Sequence, residues 1–207
     1  MTPPTPPEVH APVIDGLVLA AGRSRRMRQP KPLLSIDDET FLERAIRVLI
    51  EGGCRAVIVV LSSGDGDEAR LAEQAGAKVV VNDDPESQQA DSLRIGLGAL
   101  ESEAEAVVVL PVDHPIVRVS TVQRVLEAFR RRGAVIARPS YLGVPGHPTL
   151  FARRLFDELM RTDLPEGART VVAENEDAVT DVPVQDPGVT SDVDSPDDYR
   201  QLVKGSP

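Results

Sequence analysis

Short, almost unbroken apolar runs alternate along the chain with segments whose apolar residues recur at helical spacing. The runs are "GLVLA" (16–20), "AVIVVL" (56–61), "KVVV" (78–81), "AVVVLP" (106–111) and "GAVIA" (133–137). Strands apolar on both faces belong to sheets covered on both sides, so these runs predict a parallel sheet. Between them, Leu42, Ala45, Ile46 and Leu49 keep the i, i+3, i+4, i+7 spacing of one helix face, and Thr40 with Glu43 makes a capping box ahead of it. Ser120 with Gln123 offers the same device before "VLEAF", and Leu93, Leu97 and Leu100 stripe a third helix. Strand–helix alternation implies βαβ units with right-handed crossovers. The expected fold class is α/β: a Rossmann-like, mostly parallel sheet flanked by helices.

After Pro139 the pattern loosens. Gly- and Pro-containing loops surround two short helical stretches, 152–161 and 167–174, and "DVPVQDPGVTSDVDSPDDYRQL" then reads as a strand, a turn and a last helix. There is no internal repeat, linker or second core. Residues 14–204 therefore read as one domain, its C-terminal part an elaboration on the same sheet. Residues 1–13 hold five of the 18 prolines and read as an extended or disordered tail. This segment lacks a basic n-region and an apolar h-region, so it is not expected to be a signal peptide.

Composition narrows the function. With 41% hydrophobic and 27% charged residues, the chain reads as a soluble globular protein. A net charge of −10 argues against nonspecific nucleic-acid binding, which needs a broad basic face. The single cysteine, Cys54, excludes a disulfide framework and fits a reducing compartment, hence an expected cytoplasmic location. No apolar run is long enough to span a bilayer, so no membrane is expected as a partner. Several familiar signatures are absent. There is no G-x-x-x-x-G-K-[ST], and Gly96 and Gly98 begin a G-x-G whose third glycine position holds Glu101. "DVDSPDD" has Pro196 where a calcium ligand belongs, and His10, His114 and His147 are too dispersed for a zinc cage.

One stretch departs from the acidic whole. In "VLAAGRSRRMRQPKPLL" (18–34), Arg23, Arg25, Arg26, Arg28 and Lys31 fall within nine positions just past a strand. Ligands of open parallel sheets bind at the carboxyl ends of strands. Ala20, Ala21 and Gly22 leave backbone N–H groups accessible, and such groups favour anions. Arginine supplies a planar fork for phosphate and lysine a compact charge. The local chemistry points to a polyphosphate; a solvated basic loop balanced by nearby acids is the plain alternative.

The same residues carry a resemblance. "LAAGRSRRMRQPKPLL" resembles the L-A-A-G-x-S-x-R-M-G-x-x-K-x-L-L signature of the molybdenum-cofactor cytidylyltransferase-like (MobA-like NTP transferase) family, among nucleotidyltransferases of the glycosyltransferase-A type. "DSLRIGL" (91–97), "PVDHP" (111–115), "GHPTLF" (146–151), "GART" (167–170) and "DVDSPDDY" (192–199) resemble further family segments in the same order, covering about residues 15–203. Three places depart from the pattern. Arg28 replaces a glycine, "ESQQAD" (86–91) replaces a Gly-Met-Ser-Ser-like stretch, and His114 stands where glutamine is common.

The resemblance implies Mg²⁺-dependent transfer of a nucleotidyl group, CMP from CTP, to a phosphorylated small molecule, molybdopterin, with release of pyrophosphate. It implies catalytic roles for Arg26, Lys31 and Asp113, and nucleotide contacts from Leu19, Ala20, Ala21, Gly22, Arg23, Lys31 and Ser92. Asp113 is the first metal ligand and Asp194 the second, with Asp192 as its alternative; either aspartate could instead cap the last helix. Ser92 could equally cap a helix over 93–100. His147 would face the acceptor, and Met27 belongs to the core. The implied partners are CTP or another NTP, the acceptor, and a molybdoenzyme or its chaperone. Transfer to a sugar phosphate or phospholactate-like acceptor, and a non-catalytic nucleotide- or cofactor-binding module, are the competing readings.

Overall fold

The computed structural model describes residues 11–22, 26–27 and 29–205. In chain order its elements are β1 (Ile14–Leu19), β2 (Ser35–Ile36), β3 (Glu39–Thr40), α1 (Phe41–Gly52), β4 (Val57–Leu61), α2 (Asp67–Gln74), β5 (Lys78–Val81) and α3 (Gln89–Gly98). They continue with β6 (Ala106–Pro111), α4 (Val119–Arg132), β7 (Ile136–Tyr141), β8 (Val144–Pro145), β9 (Thr149–Ala152), α5 (Phe156–Leu159), α6 (Ala168–Glu174), β10 (Val179–Pro183) and α7 (Pro196–Gly205).

The sheet runs β10-β7-β9-β6-β1-β4-β5, with β8 on the outer part of β7. β1 lies between β6 and β4, parallel to both, and β4 continues in parallel to β5. Alternate residues of the buried central strands feed two apolar layers. Val18 and Val108 pack under α1 and α4 with Phe41, Ile46 and Val122, whereas Leu17 and Val107 pack under α3 with Leu93 and Phe151. This two-sided burial is why the strands read as continuous apolar runs. The parallel pairings send β1, β4, β5 and β6 in one direction, so the loops that follow them collect at one edge. α3 lies close on β1, since a Cβ at Gly96 would come 2.4 Å from Leu17 Cδ1. The elaboration after Pro139 does join the same sheet, but its strand β9 runs antiparallel to both β6 and β7.

Local structure matches the sequence reading in part. The Thr40–Glu43 capping box is formed, with Glu43 N donating to Thr40 Oγ1 at 3.2 Å and Thr40 N to Glu43 Oε2 at 2.9 Å. The fifth strand begins at Ile136 instead of 133, because Gly133 adopts a left-handed conformation (φ 63°) that ends α4. α3 begins at Gln89, four residues earlier than expected, with Gln88 N bonded to Asp91 Oδ2 at 2.6 Å. Ser92 therefore lies inside the helix and caps nothing. Residues 1–10 of the Pro-rich segment lie outside the described residues; Val13 is joined to Glu105 by Glu105 N→Val13 O at 2.8 Å.

The Ser120–Gln123 box is not used. α4 starts at Val119, and its N-terminus is held from a distance by Asp186, which is 2% exposed. Asp186 accepts from Thr121 Oγ1 (2.5 Å), Arg118 N (2.9 Å) and Gly188 N (3.0 Å). Removing it would strand three donors, two of them buried and one partly buried, a cost on the order of 3 kcal/mol. Asp186→Ala should lower Tm by roughly 6–12 °C for a chain of this size, and Ser120→Ala by less than about 2 °C. Thermal unfolding of the two variants checks this; equal shifts would restore the local cap.

Candidate functional site

The site is built where β1 and β6 end. Val112 N donates to Leu19 O (3.1 Å) and Ala20 N to Val60 O (3.0 Å), fixing the first residues of the basic loop against both neighbouring strands. Leu19 and Ala20 are buried, Ala21 is half-buried and Gly22 is exposed, with nothing within 4 Å of a Cβ built on it. Met27 is buried at 6% exposure, as expected of a core residue. Arg23, and Ser24, Arg25 and Arg28 with it, lie outside the described residues.

Lys31 follows Pro30 at the start of a single 3₁₀ turn, Lys31–Leu33. Its Nζ lies 2.6 Å from Asp194 Oδ1 and 3.6 Å from Asp113 Oδ2, with only 14% of the side chain exposed. Arg26, largely exposed, reaches Asp194 Oδ2 at 3.0 Å. Asp194 arrives from 163 residues away because Val193 N donates to Asp113 O at 2.9 Å, pinning the late acidic turn to the end of β6. The hydrogen bond from Lys31 holds the Asp194 carboxyl below its usual range; the charges of Lys31 and Arg26 act in the same direction.

The capping question at α7 is settled by residues the sequence reading passed over. Ser195 Oγ accepts from Asp198 N (3.2 Å), and Asp198 Oδ2 accepts from Ser195 N (2.7 Å) and Asp194 N (3.1 Å). Ser195 and Asp198 thus close the helix start, and the Asp194 side chain turns to Lys31. Asp192 is exposed and does not line the cavity.

These groups rim a cavity of about 810 Å³ lined by Gly22, Lys31, Asn82, Gln88, Asp113 and Asp194, among others. Ser92 reaches it from α3 and is 6% exposed, its Oγ accepting from Asn82 Nδ2 at 2.9 Å. Asn82 and residues 83–85 were not singled out from sequence, whereas 86–88 belong to the "ESQQAD" departure from the family pattern. Their signal was available: they follow "KVVV", the carboxyl end of a strand.

The carboxylates suit a divalent cation. Asp113 Oδ1 is buried without a hydrogen-bond partner, and Asp194 lies across Lys31 from it. Among the described residues no three His, Cys, Asp or Glu side chains form a cage. A cation held by two carboxylates takes its remaining ligands from phosphate oxygens and water, as Mg²⁺ commonly does.

A second cavity, about 250 Å³, adjoins the first and shares Leu19, Gln88, Gln89 and Pro111 with it. Leu93, Val109 and Phe151 form apolar wall, and His147 and Arg169 bring polar groups. The His147 loop is seated by its own N–H on Val189 O at 2.9 Å. Gly146 is needed there, since a Cβ would come 2.0 Å from Val189 O. Burial, with His114 and Arg169 adding to it, pushes the His147 imidazole down to about 3, so the ring is neutral near pH 7.

Comparison with known proteins gives the family and the fold. The family described as MobA-like NTP transferase domain matches residues 16–179. Nicotine blue oxidoreductase of Paenarthrobacter nicotinovorans is 30% identical, over 93% of this chain and 97% of its own. Molybdenum cofactor cytidylyltransferase of Escherichia coli K12 is 24% identical, over 90% and 93%. The crystal structure of Rv0371c from Mycobacterium tuberculosis superposes with a TM-score of 0.79 at 33% identity, covering 94% of this chain and all of that one. A manganese complex of the same protein superposes with a TM-score of 0.77. No helix among the described residues is long and apolar enough to cross a membrane.

Proposed function

Since the chain belongs to the family of MobA-like NTP transferase domains and is a nucleotidyltransferase, we propose that it transfers CMP from CTP to the phosphate of molybdopterin, releasing pyrophosphate. The observation that carries this reading is Lys31, set between Asp113 and Asp194 at the rim of a nucleotide-sized cavity. An acceptor phosphate oxygen attacks the α-phosphorus, the bond to the β-phosphate oxygen breaks, and pyrophosphate departs. No protein nucleophile is required; positioning and charge neutralisation do the work. The backbone of Ala20, Ala21 and Gly22 supports the triphosphate, joined by Arg23. Lys31 and Arg26 leave Asp194 for the β- and γ-phosphates and neutralise the leaving group. Asp113 and Asp194 would hold Mg²⁺, which as a Lewis acid at the phosphates would supply several kcal/mol of charge stabilisation. Ser92 and Asn82 face the nucleoside end.

The acceptor belongs in the smaller cavity, its ring against Leu93 and Phe151 and its polar edge near His147. A cytoplasmic location, with a molybdoenzyme or its chaperone receiving the product, follows from this reading. Hydride chemistry on a dinucleotide is not supported by the residues. Gly96 and Gly98 lie within α3, Gly96 pressed onto Leu17, and neither sits on a strand-to-helix turn where a pyrophosphate would bind. Pyrophosphate release over a matrix of nucleotides and phosphorylated acceptors tests the proposal; turnover with a sugar phosphate but not molybdopterin would overturn the acceptor.

Base choice rests on Ala21. Its methyl removes space and backbone freedom that glycine would give a purine at this turn, and a clash with the wrong base is enough for specificity. CTP with Mg²⁺ should raise Tm more than GTP does. At a hundredfold excess over Kd a ligand contributes about 2.7 kcal/mol, or roughly 5–11 °C here. An equal or larger shift with GTP in a thermal scan would refute the cytidine assignment.

A further inference from the structure

Three buried side-chain polar atoms among the described residues lack a hydrogen-bond partner: Asp113 Oδ1, His114 Nδ1 and His147 Nδ1. They form one row. His114 follows Asp113 at the end of β6, its side chain is 10% exposed, and its Nε2 lies 3.9 Å from Asp113 Oδ1, beyond hydrogen-bond distance. Its ring centroid lies 4.8 Å from that of His147, with the planes tilted by 56°. The row starts at the carboxylate that lines the nucleotide cavity and ends at the imidazole that lines the smaller one.

Buried polar atoms are normally paired, and each exception calls for a reason. A leucine or phenylalanine at 114 would fill the space behind His147 with no polar atom to desolvate. With Nδ1 of His147 buried and unpartnered, the proton of its imidazole is better placed on Nε2, which is outside that buried set and can be satisfied by a ligand. Leu93, Val109, Phe151 and Val172 form the apolar part of the surrounding wall, and the acceptor side chains of the cavity are those of Gln88, Gln89, Thr149 and Glu166.

We propose that His114 is a positioning residue for the acceptor: its ring backs that of His147 and fixes the His147 Nε2–H at the wall of the smaller cavity, where it donates to a ring carbonyl or ring nitrogen of a flat heterocyclic acceptor. The inference rests on the acceptor reading above. His114 touches neither substrate and acts only through His147. Arg169, the cationic side chain of the same cavity, remains for an anionic substituent.

The test uses the full chain, with 6-hydroxymethylpterin as a fluorescent probe of the smaller cavity and the CTP-induced Tm shift as the control for folding and nucleotide binding. His114→Ala should weaken pterin binding about tenfold, the order of one positioned hydrogen bond, with the CTP shift retained. In turnover the loss should appear in KM for molybdopterin more than in kcat. His114→Phe, which restores a flat ring behind His147, should recover most of the affinity, whereas His114→Leu should not. Pterin binding that survives His114→Ala but is lost in His147→Ala overturns the positioning role and leaves the acceptor cavity standing. Parallel loss of pterin and CTP binding, or full recovery in His114→Leu, reduces His114 to packing. Absence of pterin binding by the unaltered protein, with CTP binding intact, overturns the acceptor reading and this inference with it.

Discussion

Asp113→Ala should abolish metal-dependent turnover while the protein stays folded. The expected loss in kcat is about 10³-fold or more, since removing several kcal/mol of charge stabilisation costs a factor of ten for each 1.36 kcal/mol. The side chain is 29% exposed at a cavity rim, so the stability cost should be small, about 1 kcal/mol or less. Its Oδ1 makes no hydrogen bond that the substitution would break. Asp194→Ala should show the same kinetic phenotype, and Asp192→Ala should be near-neutral, because Asp192 is exposed and away from the cavity. Pyrophosphate release with Mg²⁺, measured beside a thermal melt of each variant, decides the matter. Full activity in Asp113→Ala would sink the mechanism.

Lys31→Ala should lower kcat by about 10²–10³, the range seen when a single electrostatic stabiliser of a transition state is removed. A rise in KM alone would mean that Lys31 binds substrate uniformly and does not act on the leaving group. Lys31→Arg should not rescue, because a planar fork cannot replace a compact ammonium between two carboxylates. The geometry adds a second signature. Lys31 Nζ sits 2.6 Å and 3.6 Å from the two carboxylates proposed to bind metal, so without nucleotide it competes with a cation for them. Removing that charge should tighten Mn²⁺ binding to the nucleotide-free protein, by about tenfold for roughly 1.4 kcal/mol of relieved repulsion. Titration by electron paramagnetic resonance reads this directly. Unchanged Mn²⁺ affinity would place the cation away from Asp113 and Asp194.

The candidate site was legible where its residues sit beside a strong strand. "VLAAG" and "VVVLPVD" mark two parallel strand ends, and a strand end in such a sheet is where a ligand must bind. Asn82, after the equally plain strand "KVVV", carried the same signal, but no charge or motif drew attention to it. For Ser92 the sequence leaves a helix cap and a nucleotide contact equally open, and the structure removes the cap. The helix began earlier, and what holds Ser92 is Asn82, ten residues away. The smaller cavity was not legible, because β9 and α6, which form much of its wall, are short and lie in the segment where periodicity fades.

The sequence by itself determined the layered α/β sheet, since continuous apolar runs and helical spacing report burial that each segment carries locally. It also determined where positive charge gathers. The tertiary structure decided which acids meet that charge. The family resemblance puts Asp194 ahead of Asp192, but no local pattern says which of them meets Lys31. Only the Val193–Asp113 backbone bond and the Ser195–Asp198 cap turn Asp194 toward Lys31. Likewise the α4 start carries a plausible cap of its own, yet Asp186, 68 residues from Arg118, supplies the acceptor, because a buried helix end is satisfied by whatever the packing brings within 3 Å. Contacts of that span depend on the closed chain, and no local pattern records them.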